Sequence, residues 1–437
     1  MVNDQEENEM KKEAVKIIGG GLAGCEAAYF LCKKGVEVTL YERRPNYDDK
    51  AHETELLGEL VCSNSLKSFQ LSNACGLLKE EMRKMGSIMM EASDISSIPG
   101  GNALTVDRTL FGETMTNILL KFPNFHLVRE EIDDFDDEIT ILATGPLTDG
   151  ALYEKLGEIC QSKHLSFFDA SAPILAKSSF DFTKVYAKSR FSQDDDAYLN
   201  CPFTKEEYYR FIDELMKAER AHIHSIDTEY FEGCLPIEIM AARGPETLRH
   251  GMLKPSGLGT DEHPKPYAVA QLRQDTKLGD YYNLVGFQTN LTYPEQKRVF
   301  RLIPGLENAE FVRYGLMHRN SYLDSPHCLN EDLSLKNKNN VFVAGQLSGV
   351  EGYVESAATG IIAAVEVLRR IKGEEHISVP KETVIGALLD YVLHCNSNFA
   401  PMNANWALFP GSDKKHREIT IEKALDAIKS YWSRIDE

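Results

Sequence analysis

Residues 15–18, VKII, form a short apolar run, a glycine-rich GGGLAG follows, and apolar side chains then recur at helical spacing through Ala27, Ala28, Phe30 and Leu31. Alternating VEVTLY comes next, so the opening predicts buried strand, glycine turn, helix and second strand. Two later apolar runs also end in glycine: ITILATG near residue 139, and VFVAG near residue 341, the latter leading into the helix-like VESAATGIIAAVEVLRRI. Between them the pattern is mixed, with turns such as NCPFTKEE and β-rich runs YAVAQLR and YYNLVGFQT. The tail, KETVIGALLDYVLH then PMNANWALFP, reads as a helix followed by an irregular segment.

Because the glycine-ended strands on either side of the mixed segment look alike, the middle reads as a domain inserted into the first. The expected division is 1–152, first part of a dinucleotide-binding domain; 153–330, inserted α+β domain; and 331–437, second part of the first domain.

Gly19, Gly21 and Gly24 form G-x-G-x-x-G between strand and helix, and Glu42 ends the next strand. Glycines there let backbone N–H groups approach a pyrophosphate at the positive end of a helix, and the acid accepts from ribose hydroxyls. ATG at 143–145 and VFVAGQLSG, with Gly345 and Gln346, resemble the second and third contacting strands of two-dinucleotide flavoproteins, so FAD is favoured over NAD. The expected fold is α/β, a Rossmann-like FAD-binding flavoprotein fold.

Composition narrows the partners. A formal net charge of −19 argues against a broadly basic nucleic-acid surface and against DNA, although residues 241–320 hold 11 Lys/Arg against 8 Asp/Glu. No apolar run approaches a membrane span, and the polar, acidic start does not read as a signal peptide, so a cytoplasmic protein is expected. Nine scattered cysteines contain no C-x-x-C pair, which leaves free thiols and no expected metal site.

Two of those thiols stand apart. Cys62 opens a run of Ser63, Asn64 and Ser65 in LGELVCSNSLKS, and Cys234 follows Gly233 in YFEGCLPIE, whereas Cys25 and Cys32 fit buried positions on the first helix. His52 and Thr54 in AHET, and His318, Arg319 and Asn320 in YGLMHRNSY, are candidates to orient phosphate or cofactor groups, or to bond within the core.

From about residue 15 to 411 the chain resembles the TrmFO family of folate- and FAD-dependent tRNA (uracil-5-)-methyltransferases, through GGGLAGCEAA, AHET, ELVCSNSLKS, ALTVDR, ATGPLT, FFDASAPI, FEGCLPIEIMAARG, YAVAQLRQD, RYGLMHRN, AGQLSGVEGYVESAATG and PMNAN. The resemblance implies methylation of uridine 54 in the T-loop of tRNA. The methylene comes from 5,10-methylenetetrahydrofolate, is carried and reduced by FADH2, and NADPH or NADH restores the flavin. It implies Cys234 as the nucleophile at uracil C6 and Cys62 as a second thiol beside the flavin-bound methylene, guarding it or acting as base. Glu351 and Tyr353 join the cofactor site, Tyr353 by stacking. Arg243, Lys254, Arg273 and Arg319 are the phosphate candidates, chosen by motif position and charge. The same chemistry on a uridine of 23S rRNA is the alternative, a small-molecule FAD oxidoreductase and a non-catalytic RNA-binding factor are the rivals of other classes, and no obligate protein partner is implied.

Overall fold

The computed structural model describes residues 14–47, 51–161, 165–190, 197–221, 235–396, 398–409 and 416–436. The opening pattern becomes β1 (Ala14–Ile18), α1 (Leu22–Lys33) and β2 (Glu37–Tyr41). Further strands β3 (Phe125–Val128), β4 (Thr140–Leu142), β5 (Ser334–Leu335) and β6 (Lys338–Val343) complete a sheet of order β5-β6-β4-β1-β2-β3. Every neighbouring pair is parallel except β5 with β6. Parallel strands covered on both faces need continuous apolar runs, and Val15, Ile17, Ile141, Leu142, Val341 and Phe342 are buried accordingly.

Helix α2 (Tyr353–Lys372) follows the sheet and lies against α1 at close range. Gly360 makes the approach possible: a Cβ there would stand 2.2 Å from the Ala23 carbonyl oxygen. Cys25 and Cys32 are buried on α1, as expected of small apolar residues, and burial pushes the Cys32 thiol up to about 12.

A second, antiparallel sheet runs Tyr186–Ala187, Tyr198–Phe203, Ala268–Gln274, Tyr281–Leu284, Ile174–Ala176, Phe311–Arg313. The helix Lys205–Lys217 packs Tyr208, Phe211, Ile212 and Leu215 into its core, started by a capping box between Thr204 and Glu207. Its hydrophobic core spans Ala172 to Ala309, while Leu152, Leu156, Leu323 and Leu329 join the core of the first sheet. A two-stranded ribbon, Leu165–Ala170 with Met317–Tyr322, and a small sheet of Ser65–Ser68, Ser97–Ile98 and Ala103–Val106 complete the strands described. Among the described residues no helix is long and apolar enough to cross a membrane.

Candidate active site

The three motif glycines are required for three different reasons. Gly19 has φ +107, and a Cβ on it would meet the Ala143 carbonyl oxygen at 2.4 Å. A Cβ on Gly24 would lie 2.0 Å from the Gly19 carbonyl oxygen, so it is needed for helix α1 to sit against β1. Gly21 has an ordinary φ of −75 and nothing within 4 Å of its would-be Cβ. Its bare position faces a cavity of about 460 Å³, and no side chain caps α1 there. An uncapped helix N-terminus behind a glycine with empty space in front fits a pyrophosphate, so the residues present suit a dinucleotide.

Glu42 is buried beside this turn and already makes four hydrogen bonds. It accepts from Gly20 N at 2.9 Å, from Arg44 N and Nε at 3.0 Å each, and from Arg44 Nη2 at 3.2 Å. Burial alone would raise its carboxyl, but the Arg44 hydrogen bonds and charge outweigh burial and hold it below the usual range. Four bonds fill the acceptor capacity of a carboxylate. A ribose hydroxyl at Glu42 therefore shares an oxygen with Arg44, which sequence reading did not single out. Arg44 Nη1 continues to Glu59 Oε2 at 2.9 Å, and Glu59 also holds Thr54 Oγ1 at 2.7 Å. Thr54 thus organises the loop around His52, a residue of the cavity wall.

The same cavity reaches Cys62, Asp169, Arg273, His318 and Tyr353. The small polar residues after Cys62 are the handles by which distant elements hold its loop. The Tyr353 hydroxyl accepts from Cys62 N at 2.8 Å and Ser63 N at 3.2 Å, and donates to Cys62 Sγ at 3.2 Å. Arg108 Nη1 donates to the Leu60 carbonyl at 2.7 Å, while its Nε pairs with Asp275 at 3.1 Å. From the second sheet, Arg273 Nη2 donates to Ser63 Oγ at 2.9 Å and Asn64 Oδ1 at 3.0 Å, and its Nε to Asn64 Oδ1 at 3.2 Å. Asn64 Nδ2 bonds the carbonyls of Val106 at 3.1 Å and Gln274 at 2.9 Å. The loop is clamped where all these elements meet.

Burial pushes the Cys62 thiol up to about 11, the Asp169 charge adds to this, and the Tyr353 hydrogen bond and Arg108 oppose it. Cys62 therefore rests protonated at neutral pH. At the far end of β6, Gly345 has φ +77 and Gln346 Nε2 donates to Glu351 Oε2 in a short contact. Glu351 is buried, and desolvation, with Asp169 adding repulsion, lifts its carboxyl well above the usual range.

The family described as Glucose inhibited division protein A matches residues 14–375. A protein from Lactobacillus johnsonii named Methylenetetrahydrofolate--tRNA-(uracil-5-)-methyltransferase TrmFO is 52% identical over 430 residues, 95% of this chain and 98% of that one. The chain belongs to the TrmFO family. Its relative of the same name from Bacillus cytotoxicus is 47% identical over 434 residues, 97% of this chain and 99% of its own. The structure of Aquifex aeolicus GidA in its form II crystal superposes with a TM-score of 0.71 at 18% identity, covering 97% of this chain and 73% of that one, a likeness of fold. The Rossmann-like flavoprotein fold expected from the glycine-ended strands is the fold this TrmFO-family chain has.

The phosphate candidates of the TrmFO-family chain have different surroundings. Arg243, Lys254 and Arg319 are exposed, with Arg319 pointing away from the cavity between inward-facing His318 and Asn320 on the ribbon. Arg273 is 8% exposed and braces the Cys62 loop, a setting unlike that of a surface cation reaching for RNA. Tyr353 lines the cavity, and its hydroxyl is engaged with the same loop. Cys234 lies outside the described residues; the described chain resumes at Leu235, and Ile237 N donates to the carbonyl of Gln288, another cavity residue, at 2.7 Å. Sequence reading missed Arg108, Asp169 and Gln288 as site residues. Asp169 had a signal, a lone acid interrupting the apolar FFDA run, whereas Arg108 and Gln288 had none.

Proposed function

We propose that the chain is an FAD-dependent methylenetetrahydrofolate–tRNA (uracil-5-)-methyltransferase acting in the cytoplasm on uridine 54 of the T-loop, with NADPH or NADH as reductant. The observation that carries this is one continuous cavity running from the Gly19–Gly24 turn to the Cys62 thiol. The glycine turn and α1 would hold the pyrophosphate, Glu42 with Arg44 the ribose end, and Gly345, Gln346 and the start of α2 the flavin end. When bound, FAD supplies carriage and reduction of the one-carbon unit that the folate donates.

The chain's own part is to make uracil C5 a nucleophile. Addition of a thiolate to C6 moves the C5–C6 electron pair into an enolate, so that C5 attacks the one-carbon unit; loss of the C5 proton and expulsion of the thiolate restore the ring. Cys62, resting as a neutral thiol, suits a proton-holding role beside the one-carbon unit, and Cys234 is assigned the attack on C6. In the sequence Cys234 stands three positions before the anchored Ile237. The inserted segment 153–330 would present the RNA, with Arg243, Lys254 and Arg319 as its exposed cations.

The test is anaerobic incubation of the FAD-loaded protein with NADPH, labelled methylenetetrahydrofolate and either a tRNA transcript or a 23S rRNA fragment. Label in the tRNA T-loop that disappears in Cys234→Ala supports the reading. Label only in the rRNA moves the substrate, and NADPH turnover without label in either RNA sinks the methyltransferase.

A further inference from the structure

The second sheet ends in an edge strand, Phe311–Arg313, whose pairing with Ile174–Ala176 slips by a bulge between Phe311 and Arg313. Side chains three apart on a regular strand point to opposite faces, and a bulge re-aims them. Here it accompanies a stack: the Phe311 and Tyr314 rings lie 5.1 Å apart at 10°. Tyr293, at the start of the helix Tyr293–Phe300, lies on the same Tyr314 ring at 4.6 Å and 15°. Three nearly parallel rings therefore stand in a column. Tyr293 at its end is 49% exposed. Core aromatics in this chain mostly meet tilted or edge-on, as do Phe287 with Phe300 at 89° and Phe203 with Tyr208 at 90°.

The column adjoins the cavity described above. Arg313, between Phe311 and Tyr314, ion-pairs Glu53 at 3.1 Å and bonds the Ala51 carbonyl, on either side of the cavity residue His52. Gly315 is fixed to Gln296 by two 2.8 Å hydrogen bonds, and His318, another cavity residue, comes four residues after Tyr314 in the strand Met317–Tyr322. One helical turn beyond Tyr293, Lys297 is exposed with no ion pair among the described residues, whereas neighbouring Arg298 is held by Glu214 and Glu295. A half-exposed ring at the end of a stack with an exposed cation one helical turn on, next to a reaction cavity, matches what unpaired nucleic acid offers: a base face and a phosphate.

We propose that the outer face of Tyr293, backed by Tyr314 and Phe311, is a stacking platform for an unpaired base of the RNA substrate, with Lys297 against the adjoining phosphate. This rests on the reading of the chain as an RNA methyltransferase and adds where that RNA is gripped outside the cavity.

The test uses the full-length FAD-loaded protein and an unmodified tRNA transcript, with Tyr293→Ala, Tyr293→Trp and Lys297→Gln. Tyr293→Ala should raise both the Kd and the KM for tRNA by about 5- to 150-fold, the range for losing one base–aromatic stack, while FAD content stays at the wild-type value and the Tm falls by no more than about 5 °C, as loss of the stack on Tyr314 alone allows. Tyr293→Trp should restore binding, since it keeps a stacking face. Lys297→Gln should flatten the slope of log K against log salt by about 0.7–0.9, one phosphate contact. A Tyr293→Ala protein with Kd and KM within about twofold of wild type overturns the platform and leaves the methyltransferase standing. So does a loss that Trp fails to rescue. A wild-type protein that neither binds nor methylates the transcript overturns both.

Discussion

The Asn64–Arg273 clasp allows a quantitative test of how the two sheets hold Cys62. Asn64 is fully buried and, among the described residues, its Oδ1 accepts only from Arg273, through Nε and Nη2. Arg273→Met removes the donor and leaves that oxygen unsatisfied, a cost of about 1–3 kcal/mol. Asn64→Ala does more harm. It leaves a buried guanidinium with Ser63 Oγ as its remaining contact on the loop and deletes both Nδ2 bonds, for about 3–5 kcal/mol. Each single change destroys the same charged contact, so the double variant should fall short of the sum by about 1.5–3 kcal/mol. Urea unfolding read by tryptophan fluorescence measures this, since Trp406 and Trp432 both pack against the first core. Alkylation of Cys62 reads the loop itself: a local loss of about 3 kcal/mol means roughly 100-fold more opening. Additivity within about 0.5 kcal/mol, together with unchanged alkylation, would refute the clasp.

Other outcomes follow from the same geometry. Gly21→Ala should keep the Tm and weaken FAD by about 100-fold or more, whereas Gly24→Ala should lower the Tm because its Cβ would strike backbone; FAD absorbance and thermal melts separate the two. Tyr353→Phe should retain FAD, lower kcat by about 10- to 100-fold, and move the pH midpoint of Cys62 alkylation above its starting value near 11, because the lost hydrogen bond had favoured the thiolate. His376 is raised above its ordinary value by its hydrogen bond to Glu366 at 3.1 Å. A raised folded value means the pair's stability is fully present below the unfolded histidine pKa and is lost as pH rises through the folded one. Melts should therefore show His376→Gln less stable than wild type at pH 6 and equal to it by pH 9; an equal deficit at both would rule out the titration.

The βαβ opening, the dinucleotide turn and the long helix after β6 were legible because their signals are local: periodicity, glycine spacing and an acid at a strand end. The NCPFTKEE stretch was read as a turn, yet Tyr198–Phe203 is a strand and Lys205–Lys217 a helix. Pro202 fits there because the neighbouring strand Tyr186–Ala187 pairs only with Asn200 and Leu199, so the missing N–H falls at an open edge. The oddity of Cys62 among small polar residues was visible, but its explanation was not. The groups that use Ser63, Asn64 and the loop amides are Arg273 and Tyr353, more than two hundred residues away in the chain. Arg273 was chosen by motif position and charge, and neither distinguishes a surface cation from a buried brace. Glu42 was recognised by position, while three of the four bonds it already makes come from Arg44, whose role no spacing rule announced.

The central claim, that one cavity brings a folate-derived carbon and a uracil together over a bound flavin, is tested most directly by mass spectrometry of nucleosides from a tRNA transcript. The transcript is incubated with the FAD-loaded protein, NADPH and methylenetetrahydrofolate carrying 13C in its methylene. The account predicts 5-methyluridine one mass unit heavy. Unlabelled 5-methyluridine formed only when S-adenosylmethionine is supplied, or none under either condition, would contradict it.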